Sequence, residues 1–468
     1  MKSMPASDKY TYLRKQFQAF YYEGFEVVQN ENELKIKFEF YLDNAYAFHP
    51  EMIVKINNQF KATKLSKAQL DELVFHIGMV ELISYWKAAC PEKVVIKPFH
   101  LNEEQIQFWK KIYFHGLGEF FYTNNIQTDI DQFMDIEPVS KYHPEKQIYH
   151  TTNHYIIPVG GGKDSVVTLE LLNAFVNQKK DIIPFIMNPR EASLDTAKIA
   201  GFEQDEVFVI ERSIDPALLK LNEEGFLNGH TPFSALLAFT SLLVSAVTSH
   251  RYIALSNESS ANESSVAGTQ INHQYSKSLE FENDFRRYVK TYISEDFEYF
   301  SFLRPLTEFQ IARLFSEFNQ YFDVFKSCNV GSKEDKWCGK CPKCLFTYII
   351  LSPFVPSERL QNIIGHDLLN DPDHIQNYME LTGQTDQKPF ECVGTVNEVN
   401  IALTLTAKQM NESDEMPLLL QKFKQTPMYE KYKESVEPDW VLSEGLHENN
   451  LPEVLLDRLR HYLVKVYC

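Results

Sequence analysis

Residues 155–166 read Tyr-Ile-Ile-Pro-Val-Gly-Gly-Gly-Lys-Asp-Ser-Val, and they carry the residue types that could grip a phosphate. An apolar run stops at Gly160, Gly161 and Gly162. Lys163, Asp164 and Ser165 follow, and then the apolar series Val166, Val167, Leu169, Leu171, Leu172. That order reads as strand, glycine turn and helix N-terminus, where backbone N–H groups and the helix dipole favour an anion. A Walker loop is excluded because Asp164, not Ser or Thr, follows the lysine. A dinucleotide fingerprint is excluded because Ser165 stands where its last glycine should be.

A second constellation is Cys328, Cys338, Cys341 and Cys344, spaced C-x9-C-x2-C-x2-C. Four thiolates suit a tetrahedral structural Zn²⁺ site, and Lys340 and Lys343 between them would offset thiolate charge. An iron–sulfur cluster is the rival, but the expected continuation C-x3-C-P is missing: Thr347, Tyr348 and Ile349 follow. Zinc is therefore the expectation. Met1 to Gln16 is polar and has no apolar core, so no signal peptide is expected. The seven cysteines then imply metal binding in a reducing cytoplasm rather than disulfides.

Between the two motifs lie Ser256-Asn257-Glu258-Ser259-Ser260-Ala261-Asn262-Glu263 and Asn272-His273-Gln274-Tyr275-Ser276-Lys277-Ser278. Glu258, Glu263, His273 and Lys277 could supply acid–base groups and phosphate contacts. Any one of them could equally belong to a solvated polar loop, Glu263 most of all. Position argues for function at the other three, since strand ends carry the sites of parallel α/β sheets.

The elements that must position these groups follow from periodicity. From about residue 151, strands at Tyr155–Val159, Ile182–Met187, Glu206–Glu211 and Tyr252–Leu255 alternate with helices at Ser165–Val176, Ala192–Ala200 and Phe233–Thr248. Such alternation predicts a doubly wound parallel sheet with ligands at the carboxyl strand ends: Gly160–Ser165, Asn188–Arg190, Arg212–Ser213 and Ser256–Ser260. Residues 1–150 predict an N-terminal α+β domain, with strands at Phe25–Val28 and Leu34–Tyr41. Its helices are expected over Lys67–Cys90 and Glu103–Tyr122, the latter capped near Asn102. Residues 151–355 are then the nucleotide domain with the cysteine cluster, and 356–468 a helical C-terminal region with turns at Asp371-Pro372 and Glu437-Pro438. A net charge of −18 over 468 residues argues against nucleic-acid and anionic-membrane partners. The uncharged stretch from Gly225 to His250 contains Ser234, Thr240, Ser241 and Ser245 and reads as a buried helix rather than a membrane span.

The glycine run resembles the Ser-Gly-Gly-x-Asp-Ser fingerprint of the PP-loop ATP pyrophosphatases, of the adenine nucleotide alpha hydrolase-like fold, which cleave ATP between the α and β phosphates and form adenylates. The resemblance puts Gly160, Gly161, Gly162, Lys163, Asp164 and Ser165 around ATP, with Asn188 at the next strand end, and Gly160 departs from the usual serine. The cysteine spacing resembles the zinc site of 7-cyano-7-deazaguanine synthase, another PP-loop enzyme. A larger set resembles the bacterial UDP-N-acetylmuramoyl-L-alanyl-L-glutamate epimerase family, MurL. It comprises Gly160–Ser165, Ser256–Glu258, Asn272–Ser278, Leu303-Arg304-Pro305, Ser327-Cys328-Asn329 and Trp337–Cys344, with Tyr85-Trp86-Lys87, His115-Gly116-Leu117 and Glu391-Cys392-Val393-Gly394 outside them.

The resemblance implies an ATP- and Mg²⁺-dependent isomerase of peptidoglycan synthesis that converts the terminal L-glutamate of UDP-MurNAc-L-Ala-L-Glu to D-glutamate, releasing AMP and diphosphate. It places proton transfer at His273 or Glu258, phosphate charge at Lys163 and Lys277, and Mg²⁺ at Asp164. Arg304 is expected at a substrate carboxylate or diphosphate, or in a structural ion pair, and His115 in the core. The rival readings are a PP-loop enzyme that amidates or modifies a nucleobase, and a nucleotide-binding regulatory module without catalysis. The oligomeric state is left open.

Overall fold

The computed structural model describes residues 2, 4–56, 64–410, 415–434, 436 and 445–467. Its strands are β1 (Ala19–Gln29), β2 (Glu33–Leu42), β3 (Tyr46–Phe48), β4 (Glu51–Lys55), β5 (Lys93–Ile96), β6 (Asp135–Pro138), β7 (Thr152–Pro158), β8 (Ile182–Met187), β9 (Phe208–Ser213), β10 (His250–Leu255) and β11 (Glu298–Ser301). All join one sheet in the order β11-β10-β7-β8-β9-β4-β2-β1-β5-β6, with β3 on β2.

Two local chemistries meet in this sheet. β2 alternates buried and half-exposed residues along its length, the signature of a strand covered mainly on one face, and pairs antiparallel with β1 and β4. β8 is apolar and buried through Ile182–Ile186, as a parallel strand sandwiched between helices must be. The five strands β11-β10-β7-β8-β9 are mutually parallel. Their order turns around between β7 and β10, and that reversal opens a crevice at the carboxyl ends of the two strands. β4 pairs antiparallel with β9, from Glu51↔Ser213 to Lys55↔Val209, so the sheet runs unbroken across position 150.

The helix Phe233–Thr248 is buried on nearly every side, which answers its uncharged sequence. It packs on the helix Lys67–Glu81. No described helix is long and apolar enough to cross a membrane. The expected helix over Lys67–Cys90 divides into Lys67–Glu81 and Ile83–Trp86 and ends before Cys90, whose φ is +51°. The expected helix over Glu103–Tyr122 breaks at Leu117 into Glu103–Gly116 and Gly118–Thr123. Its start is as the sequence implies: Asn102 and Gln105 form a reciprocal capping box. Beyond residue 355 the described elements are helices, and one of them, Val396–Gln409, packs on Pro342–Leu351, the helix that begins within the cysteine motif. Asp371 caps the turn at Pro372, whereas Glu437-Pro438 lies outside the described residues.

Candidate active site

The glycine turn sits at the switch point. Gly161 has φ +82°, and a Cβ there would lie 2.7 Å from the carbonyl carbon of Ala192, so both conformation and space require glycine. At Gly160 a Cβ would meet nothing within 4 Å, so the fold does not require glycine in that place. The helix Lys163–Phe175 starts at Gly162 without a side-chain cap, which leaves its first N–H groups for a ligand. Ser165 Oγ donates back to the Gly162 carbonyl at 2.9 Å and secures the turn.

The turn forms one wall of a cleft of about 380 Å³. Gly160, Gly162, Asp164 and Ser165 line it from β7, Ser256 and Asn257 from β10, and Lys277 from the loop beyond. Lys326, Asn329, Lys343, Cys392 and Arg190 line it as well; the sequence gives no sign of Lys326 and assigns none of the other four to a phosphate cleft. Arg190 stands in a strand-end segment that was singled out, and its guanidinium reaches the Gly160 and Ser332 carbonyls, both at 3.2 Å.

Several expected residues lie elsewhere. The Lys163 ammonium does not line the cleft. It is buried on the core side of the turn, paired with Asp164 and Glu308, so the side chain expected to contact phosphate is held away by two carboxylates. Glu258 is 2 % exposed, and one carboxylate oxygen each from Asp164, Glu258 and Glu308 cluster within 4.8 Å. Burial pushes Asp164 up, but Lys163 and Lys343 outweigh it and hold the carboxyl below its ordinary range. Burial raises Glu308, against the pull of Lys163. Arg304 is fully buried and donates to the backbone carbonyls of Glu258 and Lys277, with Glu282 at 3.6 Å. It fixes those two loops to each other and does not line the cleft, which is the structural role rather than the substrate contact. Asn188 closes a left-handed turn after β8 and accepts from Arg212 N at 2.6 Å. Glu263 pairs with Lys388, and His115 stacks beside Tyr275, ring centroids 4.9 Å apart.

His273 and Lys277 meet on one cysteine. Lys277 Nζ lies 3.2 Å from Cys392 Sγ, and the His273 imidazole stands near enough to act on the charge of the same thiol. His273 is held by Glu119, Nδ1 to Oε2 2.5 Å. Burial alone would lower His273, but Cys392 and Glu119 raise it to about 9. Burial alone would raise Cys392, but Lys277 and His273 bring it down to about 6. Lys343, one of the lysines of the cysteine motif, donates to the Cys392 carbonyl. Neither Glu119 nor Glu308 carried a motif signal in the sequence. Cys392 stood in a quoted segment, Glu391–Gly394, but was assigned no role.

The four motif cysteines converge, with sulfur separations of 3.5 Å (Cys341–Cys344), 3.7 Å (Cys338–Cys344) and 3.9 Å (Cys328–Cys341). Tetrahedral coordination at the usual Zn–S length sets sulfurs about 3.8 Å apart. Backbone N–H groups of Gly331 and Cys341 point at Cys328 and Cys338 sulfurs, as expected where thiolate charge is to be stabilised. Cys328 and Lys343 tie this knuckle to the cleft wall.

The structure is thus a mixed α/β fold with a glycine turn at the switch point of its parallel strands, carboxylates, lysines and a thiol converging beside it, and a helical C-terminal region. Sequence models of the MurL N-terminal domain and the MurL C-terminal domain match residues 11–302 and 324–436. Three relatives bear the name UDP-N-acetyl-alpha-D-muramoyl-L-alanyl-L-glutamate epimerase. That of Micromonospora sp. is 35% identical over 348 residues, 73% of this chain and 76% of the relative. That of Salinispora tropica is 35% identical over 353 residues (74% and 76%), and that of Xanthomonas oryzae pv. oryzae 33% identical over 395 residues (82% and 84%). No solved structure matches the chain. The chain belongs to the MurL family.

Proposed function

We propose that this chain is an isomerase of peptidoglycan synthesis that inverts the terminal glutamyl centre of UDP-MurNAc-L-Ala-L-Glu. ATP is its co-substrate, spent through an acyl-adenylate with release of AMP and diphosphate. The supporting observation is the phosphate turn at the β7–β10 switch point, in a chain whose relatives carry the epimerase name. The strand order and the turn support a PP-loop type of nucleotide domain, and the reading belongs in the cytoplasm.

The chemistry has a physical logic. A free carboxylate makes its α-proton very weakly acidic, because deprotonation would add a second negative charge beside the first. Adenylation removes that charge and leaves a carbonyl able to delocalise the carbanion. The Gly160–Gly162 turn and the N-terminus of the following helix hold phosphate oxygens, and Lys277 and Arg190 supply positive charge at the rim. Asp164, with Glu258 and Glu308 behind it, would hold Mg²⁺. One oxygen from each of the three carboxylates lies within 4.8 Å of the others, and Glu308 Oε1 is buried without a hydrogen-bond partner, a donor set suited to a hard cation. Bound Mg²⁺ would neutralise phosphate charge. The four cysteines would hold a structural Zn²⁺, since contacting sulfurs fit one ion and not a larger iron–sulfur cluster.

The test is incubation with UDP-MurNAc-L-Ala-L-Glu, ATP and Mg²⁺ in D₂O. Deuterium at the glutamyl α-carbon together with AMP is the expected result. AMP with a retained, undeuterated L-centre would instead show a ligase-like or hydrolytic reaction, and no substrate-dependent AMP would leave a binding module. Asp164→Ala should abolish AMP release, whereas His115→Ala, whose ring packs on Tyr275, should retain it.

A further inference from the structure

The epimerase reading requires a group that takes a proton from the glutamyl α-carbon, and the two candidates named from sequence are poorly placed for it. Glu258 is buried in the carboxylate cluster, off the cleft. His273 has its Nδ1 engaged by Glu119, and Glu119 and Cys392 together favour the imidazolium, an acid and not a base. Lys277 is kept as the ammonium by Cys392 and Glu258. Among the described residues lining the cleft, and apart from Cys328 of the cysteine knuckle, Asp164 and Cys392 are the groups that can be anionic. Asp164 is the weaker base, because the lysines around it hold its carboxyl low.

We propose that Cys392 is a catalytic residue of the epimerisation: its thiolate exchanges the α-proton on one face of the activated glutamyl centre, while Lys277, His273 and Glu119 are positioning residues that keep it anionic and aimed. This rests on the epimerase reading. The Cα–H bond breaks as the S–H bond forms, and the electron pair passes into the acyl-adenylate carbonyl as an enolate. A proton originating from water arrives on the opposite face and closes the centre as the D-isomer. Hydrolysis releases AMP, and the thiol returns its proton to water.

The arrangement suits this step in three ways. The sulfur lines the same cleft as the glycine turn. Lys277 at 3.2 Å and the imidazolium offset thiolate charge without a covalent bond. The Lys343 bond to the Cys392 carbonyl and the Arg304 bond to the Lys277 carbonyl fix both backbones, so sulfur and ammonium stay in register. Formation of a thioester at Cys392 is the competing use of such a thiol, but the adenylate already activates the carbonyl, so a thioester would add a step without adding α-proton acidity.

The experiment measures α-deuterium incorporated per AMP formed, with full-length wild type, Cys392→Ala and Cys392→Ser in D₂O. The ratio should fall by about 100-fold or more in both variants, the usual scale of a lost acid–base group. A wild-type ratio in either folded variant overturns the proposal. A wild type that forms no AMP and exchanges no proton overturns the epimerase reading as well, so the two failures are distinguishable. Acid-quenched intact mass spectrometry showing an acyl adduct on Cys392 would overturn the acid–base role in favour of nucleophilic catalysis.

A readout independent of turnover is iodoacetamide alkylation of Cys392, followed by peptide mass spectrometry across pH. Its rate should be half-maximal near pH 6 in the wild type and move upward in His273→Gln and Lys277→Met. A wild-type midpoint near that of a free thiol, about 8.5, overturns the proposal.

Discussion

Replacing Gly161 by alanine separates what the phosphate turn needs from what the sequence pattern merely shows. The left-handed backbone at φ +82° costs a non-glycine residue about 1–2 kcal/mol. The new methyl would also lie 2.7 Å from the Ala192 carbonyl carbon, 2.8 Å from Ser193 N and 2.9 Å from the Ala192 oxygen. All three are backbone atoms of the helix Glu191–Ile199 and cannot swing aside as a side chain would. Overpacking of that kind adds about 1–3 kcal/mol, so the variant should lose roughly 2–5 kcal/mol in total. Relief requires the turn to retreat by several tenths of an ångström. Misplacement of about 1 Å can cost a hundredfold in rate, so substrate-dependent AMP release should drop by roughly 10- to 100-fold. Gly160→Ser is the control, because its Cβ meets open space and its stability should change by no more than about 0.5 kcal/mol. Denaturant midpoints and AMP release measured side by side decide the matter. A Gly161→Ala variant indistinguishable from Gly160→Ser in both would refute the claim that this turn is held against Ala192 in the shape proposed to bind phosphate.

Other outcomes follow from the same geometry. Metal analysis should find about one zinc per chain, and Cys338→Ser should lose it. Because Cys328 and Lys343 also line the cleft, AMP release and thermal stability should fall together in that variant. Glu72 is buried, with Tyr149 Oη at 3.4 Å, and burial raises its carboxyl to about 8. The folded state therefore holds a proton that the unfolded chain releases at ordinary carboxyl pH. This contribution to stability is full below about pH 4.5 and falls by about 1.4 kcal/mol per unit as pH rises to 8. Glu72→Gln, compared with wild type by denaturation at pH 5 and pH 8, should gain relative stability at the higher pH, and an unchanged difference would refute the assignment.

The parallel half of the sheet was legible because its signals are local. Six apolar residues at Ile182–Met187 give a strand of those bounds, and Phe233–Thr248 gives a helix of those bounds. Asn102 announces its own cap. β4 was not legible: Glu-Met-Ile-Val-Lys is short, and its partner β9 lies more than 150 residues further along the chain. β6 reads Asp-Ile-Glu-Pro and survives only at the sheet edge, where proline is tolerated. Side-chain direction was hidden for a related reason. The glycine run locates Lys163, but whether its ammonium faces phosphate or core is decided by Glu308, which lies 145 positions away. Arg304 likewise reads as a ligand contact until its two backbone acceptors, on separate loops, are seen.

The joining of the two halves of the sheet bears directly on the chemistry. β4 covers the edge of β9 that a separate parallel domain would leave open. Arg212 on β9 pairs with the buried Glu81 at 2.7 Å, which anchors the helix Lys67–Glu81 to the parallel half. The short helix Gly118–Thr123 is thereby held where Glu119 can reach His273 across 154 residues of sequence. The C-terminal region brings Cys392 beside Lys277, where the same imidazole acts on its charge. Carboxylate, imidazole and thiol thus come from three separate stretches of chain: His273 is a candidate by its own segment, Cys392 stands in a familial segment without a role of its own, and Glu119 carries no signal at all. The sulfur's charge is set only when Lys277, His273 and Glu119 are assembled beside it, so the group proposed to move the α-proton owes its state to residues far from it in sequence.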